Sequence, residues 1–156
     1  MKRIMLISLI CLMLDFVSKQ IVVNNMVIHQ SITVIDSFFS ITYAKNTGVA
    51  FSFLEGRVSF VVIMTIIFLI FIFRYIKVNT LDKIESTFYG MVIGGAIGNL
   101  IDRIIYGYVI DFFDFNIFGY NYPIFNIADI MIVLGIFGIL ILEFKKGRGS
   151  NGDNCW

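Results

Sequence analysis

Asp15 and Lys19, Asn99 with Asp102 and Arg103, Asp111 and Asp114, and Asn126 with Asp129 stand inside or beside long apolar runs of this sequence. A charge near the centre of a bilayer costs about 2.5–3.5 kcal/mol on insertion scales, so each of these residues needs a reason. Asp15 and Lys19 are four apart, which puts them on one helix face with the acid N-terminal, the order that favours an ion pair. Asn126 and Asp129 have the spacing of a helix N-cap and its N3 acid. Arg103 ends a helix pattern carrying Gly90, Gly94, Gly95 and Gly98, and an arginine on so tight an interface needs a carboxylate or carbonyl partner. Asp111 and Asp114 lie among Ile110, Phe112 and Phe113, where partial desolvation raises a carboxyl pKa.

Elimination narrows the chemistry. Ser18 and Lys19 are helix neighbours and point about 100° apart, so they do not form a serine–lysine pair. His29 is the only histidine and no HExxH is present, which excludes a zinc hydrolase of that type. The glycine stripe is not followed by Lys-Ser/Thr and is no phosphate loop. Cys11 and Cys155 suggest neither a disulfide framework nor a metal site. Two carboxylates remain. In an aspartic dyad the ionised member takes a proton from water while the other, kept neutral, hydrogen-bonds the scissile carbonyl. Asp129 and one of the two loop aspartates meet that need, without metal or cofactor.

The elements that must position these groups follow from composition. Of the 156 residues, 58% are apolar and 15% charged, and mean hydropathy is +0.89. Soluble domains run at about 45–50% apolar and about 25% charged, so this is not a soluble globule or a disordered chain. A net charge of +1 argues against nucleic acid. Four segments approach the roughly 20 residues a bilayer requires, namely 4–23, 58–73, 88–105 and 124–142. With no linker, residues 1–156 read as one membrane domain. The first segment lacks a cleavage site and is read as a retained span, and Ile10 before Cys11 is too bulky for a lipid-attachment site. Lys2, Arg3, Arg74, Lys77, Lys83, Lys145, Lys146 and Arg148 share one side, which must be the cytoplasm, so both termini are inside. Loops 24–57 and 106–123 then face outward with only Lys45 and Arg57 among their basic residues, and 147–156 reads as an unstructured polar tail. In the first loop, 38–43 alternates as a strand, with Phe39, Ile41 and Tyr43 on one face and Ser40 and Thr42 on the other.

Five ordered motifs resemble those of the lipoprotein signal peptidases (signal peptidase II, aspartic peptidases of bacterial membranes). They are Asp15-x-x-x-Lys19, Asn46-x-Gly48-x-Ala50-Phe51, Gly95-Ala96-x-Gly98-Asn99-x-x-Asp102-Arg103, Val109-x-Asp111-Phe112 and Phe125-Asn126-x-Ala128-Asp129. The resemblance runs nearly end to end. Phe16, Val17 and Ile130 depart from the usual pattern without touching these positions. It implies four transmembrane helices with a small extracytoplasmic β-element and an active-site loop. It also implies Asp111 and Asp129 as the catalytic dyad, with Asp114 outside the motif, and Asn99, Arg103 and Asn126 as supports. Asp15, Lys19, Asn46 and Gly48 are implied as structural or substrate-contact positions. The implied reaction is cleavage before the lipidated cysteine of a diacylglyceryl prolipoprotein, at the outer face of a bacterial cytoplasmic membrane. The expected partners are such precursors and membrane lipids, and a monomer is the expected state. Two rivals make different predictions. A small ion- or proton-coupled transporter asks for a polar trail through the membrane and a repeated half, and a non-catalytic assembly subunit tolerates single aspartate replacements.

Overall fold

The computed structural model describes residues 1–48 and 56–150, with side chains to residue 146. Ala50, Phe51 and Cys155 lie outside the described residues. In chain order the elements are α1 (Lys2–Asn25), β1 (Ser31–Ile35), β2 (Phe39–Asn46), α2 (Val58–Val78), α3 (Lys83–Tyr106), β3 (Val109–Ile117), β4 (Tyr120–Asn121) and α4 (Ile127–Ser150). Each helix has a stretch long and apolar enough to cross a membrane, that of α4 being Ile127–Lys146. The chain is a multi-pass membrane protein.

Apolar runs mark the bilayer thickness rather than the helix ends, and the two differ here. α2 continues past the apolar stretch through Arg74 and Lys77, because a charge ends a hydropathic run without breaking the backbone ladder. α3 starts earlier than its apolar stretch, at a capping box: Asp82 accepts from the Ile84 and Glu85 amides, and Glu85 accepts from the Asp82 amide. It ends at Gly107, whose φ of 78° lies in the left-handed region. α4 starts at Ile127, later than hydropathy suggests, because Phe125 is paired with Phe113 of β3 instead. At its other end the helix continues to Ser150, so residues 147–150 are helical rather than an unstructured tail.

α3 is the central helix. Of its apolar stretch 56% is buried, against 17–22% for the other three, and α1 and α4 pack along it. Small residues make this possible. A Cβ on Gly94 would lie 2.6 Å from the Ser8 carbonyl of α1, and one on Gly95 would lie 2.5 Å from the Ala128 carbonyl of α4. The stripe therefore serves two neighbours on adjoining faces. Leu6, Leu9 and Met13 of α1 and Ile63, Ile70 and Phe71 of α2 point outward, while the buried polar groups point in. That inversion is what a lipid solvent requires.

Beyond the helix ends β1, β2, β3 and β4 form one antiparallel sheet in that order. The loop expected over 106–123 is therefore largely strand, and Asp111 stands on β3 rather than on a mobile loop. Ile41 pairs with Phe113 and Ala44 with Asp111, so three steps on β2 match two on β3. This bulge changes which residues of β2 share a face. Phe39 and Ile41 lie on the Asp111 side before it, and Ala44 and Asn46 after it. Tyr43, expected beside Phe39 and Ile41, is instead buried in a cluster with Val22, Met26, Ile110 and Phe112.

Candidate active site

Five elements meet at the C-terminal end of α3. Asn99, Asp102 and Arg103 come from α3 itself, Asp15 and Lys19 from α1, Asn46 and Asp111 from the β2–β3 pair, and Asn126 and Asp129 from the start of α4. Asn126 caps α4 as its spacing suggests. Its side-chain oxygen accepts the Asp129 amide at 2.9 Å, and the Asp129 carboxylate accepts the Asn126 amide at 3.3 Å. Capping leaves the other half of each side chain for further contacts. Asn126 Nδ2 donates to Asp111 Oδ1 at 2.6 Å, and Asn99 Nδ2 donates to Asp129 Oδ1 at 2.8 Å. Asn46 Nδ2 donates to the second Asp111 oxygen at 2.9 Å, with its own oxygen oriented by the Gly48 amide at 2.9 Å. Three asparagine amides thus hold two carboxylates.

Beneath them lies a second layer. Lys19 is 2% exposed and pairs with Asp15 at 2.7 Å and with Asp102 at 2.9 Å. Both acids also hold backbone: Asp15 accepts the Ala128 amide of α4 at 2.9 Å, and Asp102 accepts the Ile110 amide of β3 at 3.2 Å. The elements bearing Asp129 and Asp111 are therefore tied to α1 and α3 one residue away from each aspartate. Arg103 donates to the Gly48 carbonyl at 2.5 Å and to the Asn99 carbonyl at 3.3 Å, which ties the end of β2 to α3.

A cavity of about 990 Å³ opens over this layer. Its lining combines the polar Asn46, Asn99, Arg103, Asp111 and Asp129 with the apolar Val61 and Phe68 of α2 and Ile132 and Val133 of α4. Asp111 is 1% exposed, whereas Asp129 is half-buried. Burial, and then the nearby Asp129 charge, push the Asp111 carboxyl up to about 7, against the lowering effect of the Asn46 and Asn126 amides. The arrangement provides a buried acid able to hold a proton near neutrality, a second carboxylate at the same cavity, and room for a large, partly apolar ligand. That is the equipment for activating water against a carbonyl.

The structure gathers Asp111, Asp129, Asn99, Arg103, Asn126, Asn46 and Gly48 around the cavity and its rim, with Asp15 and Lys19 directly below. It separates Asp114, whose carboxylate accepts from Thr42 Oγ1 at 2.6 Å on the far face of the sheet. Ser18 is spent on the Asp15 carbonyl. Asp102, to which the resemblance gives no role, completes the Lys19 pairing and fixes β3. The signal was present: it stands three residues after Asn99, on the same helix face.

A family model for signal peptidase II matches residues 7–145. The lipoprotein signal peptidase of Haemophilus ducreyi is 45% identical over 152 residues, covering 94% of this chain and 93% of its own length. That of Pasteurella multocida is 40% identical over 147 residues, covering 91% and 88%. Among solved structures, a bacterial membrane enzyme obtained by the in meso method at 2.3 Å resolution superposes with a TM-score of 0.88 at 37% identity, over 100% of this chain and 94% of the other. Another, at 1.9 Å resolution, gives a TM-score of 0.83 at 38% identity, over 93% and 94%.

Proposed function

The chain belongs to the signal peptidase II family and is a membrane protease of that kind, and we propose that Asp111 and Asp129 are its catalytic pair. The substrate on this reading is a prolipoprotein, cut before a cysteine that carries a diacylglyceryl group. One observation carries it: two carboxylates of separate elements, held by three asparagines, share a cavity also lined by apolar side chains of α2 and α4. A lipid-modified peptide needs both kinds of lining, since its acyl chains stay against the apolar side chains while its scissile bond reaches the carboxylates.

In the proposed cycle Asp129 takes a proton from water as the oxygen attacks the scissile carbonyl carbon, and Asp111, protonated, donates to the carbonyl oxygen. The proton on Asp129 then passes to the leaving amine, and collapse of the tetrahedral intermediate returns the other to Asp111. Asn46, Asn99 and Asn126 keep the carboxylates in place, and Arg103 with the Gly48 carbonyl fixes the rim. No step asks for a metal or cofactor, and one copy of the chain supplies every group named.

On the same reading both termini are cytoplasmic and the sheet faces outward from a bacterial cytoplasmic membrane. The grouping of eight basic residues on the side away from the sheet supports this. Asp111→Asn and Asp129→Asn, each purified folded in detergent and assayed on a diacylglyceryl-modified precursor, should lose activity by about a thousandfold or more. A folded variant that cleaves at near the parent rate overturns the assignment.

A further inference from the structure

A lysine ammonium has three donors and no acceptor. All three of Lys19 are used, on Asp15 Oδ2, on Asp102 Oδ2 and, at 2.9 Å, on Asn99 Oδ1. The first two are its ion pairs. The third does something else. An asparagine amide can turn by 180° with little change of shape, but an ammonium tolerates only the oxygen. Lys19 therefore holds Asn99 with its oxygen inward and its Nδ2 on Asp129. The same Asn99 oxygen accepts Asn126 Nδ2 at 3.1 Å, and that nitrogen also reaches Asp111. Asn126 cannot turn independently, because its oxygen accepts the Asp129 amide. A turned Asn99 would set its carbonyl against the Asp129 carboxylate and its NH₂ against that of Asn126.

We propose that Lys19 is a positioning residue of the reaction: through Asn99 it fixes the direction of the amide donors on both Asp111 and Asp129, beyond its ion pairs with Asp15 and Asp102. This rests on the dyad reading above. The charged groups around Lys19 are Asp15 on its own helix, Asp102 and Arg103 on α3, Asp111 on β3 and Asp129 on α4. Replacing Lys19 by a neutral residue frees the Asn99 amide and removes a positive charge from below both aspartates.

The test compares Lys19→Gln, Lys19→Arg and the double variant Lys19→Met/Asp102→Asn in detergent, using a diacylglyceryl-modified precursor. A folded Lys19→Gln should lose about ten- to a hundredfold in kcat with KM within about twofold of the parent. Its pH–rate profile should move to higher pH, and Lys19→Arg, which keeps charge and donors, should recover most of the rate. Where Lys19→Gln does not fold, the double variant, which removes the lysine together with one of its two carboxylates and keeps a side-chain oxygen for the Ile110 amide, should fold and show the same loss in kcat. The inference is overturned if a folded neutral variant keeps kcat within about twofold, if the loss lies in KM, or if neither neutral variant folds, since Lys19 then acts in stability alone. Asp111→Asn and Asp129→Asn run alongside. Activity in those variants defeats the dyad reading, whereas their inactivity beside a normal Lys19→Gln defeats only the role of Lys19.

Discussion

Asp111 and Asp114 are three positions apart, and on a strand that odd spacing sends the two side chains to opposite faces. Asp111 meets Asn46 and Asn126, while Asp114 meets a threonine hydroxyl. Two acids with similar flanks in the sequence therefore differ in surroundings because of strand periodicity, which a loop reading could not supply. Burial has a measurable consequence for Asp111. Its carboxyl has an ordinary value of 3.8 and is pushed up to about 7, first by desolvation and then by the Asp129 charge. Across that window the folded protein holds a proton that the unfolded chain has released, so this residue makes folding less favourable as pH rises from about 4 to about 7, and the effect is constant above. Thermal unfolding in detergent should show the parent losing stability relative to Asp111→Asn across the window. On the proposed cycle the rate of precursor cleavage should also fall above about pH 7, as the proton on Asp111 is lost. A flat stability difference between pH 4 and 8 would contradict the raised carboxyl.

At the scale of elements, two devices place the site. The bulge in β2 turns Asn46 to the Asp111 side, and without it the alternation set by Phe39 and Ile41 would turn Asn46 away. The glycine stripe lets α1 and α4 approach α3 closely enough for Lys19 to reach Asn99 and for Asn99 to reach Asp129. The Gly94 contact is with α1 backbone, which cannot be moved aside like the end of a flexible side chain. Gly94→Ala should therefore cost about 1–3 kcal/mol of stability. Because α1 carries Lys19, activity should fall further than the folded fraction does. Thermal unfolding and turnover of the same preparation check both, and an unchanged melting temperature would show that α1 is not held this closely.

At the scale of the whole molecule, lipid on the outside and ion pairs on the inside reverse the arrangement of a soluble protein, and the polar centre lies at the sheet end of the bundle. The topology inferred from basic residues has its own test. In a Cys155→Ser background, Phe118→Cys at the exposed tip between β3 and β4 should react with a membrane-impermeant maleimide in intact spheroplasts, and Lys77→Cys should not. The opposite pattern would reverse the orientation. Much of this molecule was legible in one dimension. Spans, the capping residues of α4, the Asp15–Lys19 pair and the small-residue helix contact depend on composition and on spacings of three or four residues, which a helix converts directly into faces. The family resemblance added the choice of Asp111 over Asp114. Tertiary structure alone decided what depends on residues far apart in the chain. Asp102 is drawn into the Lys19 pair 83 positions away, Asn46 is aimed by a bulge defined only against β3, and the amide orientations run from Lys19 through Asn99 and Asn126 to both aspartates. Hydrogen bonds between helices have no period in the sequence, because each is set by how two elements meet rather than by either one.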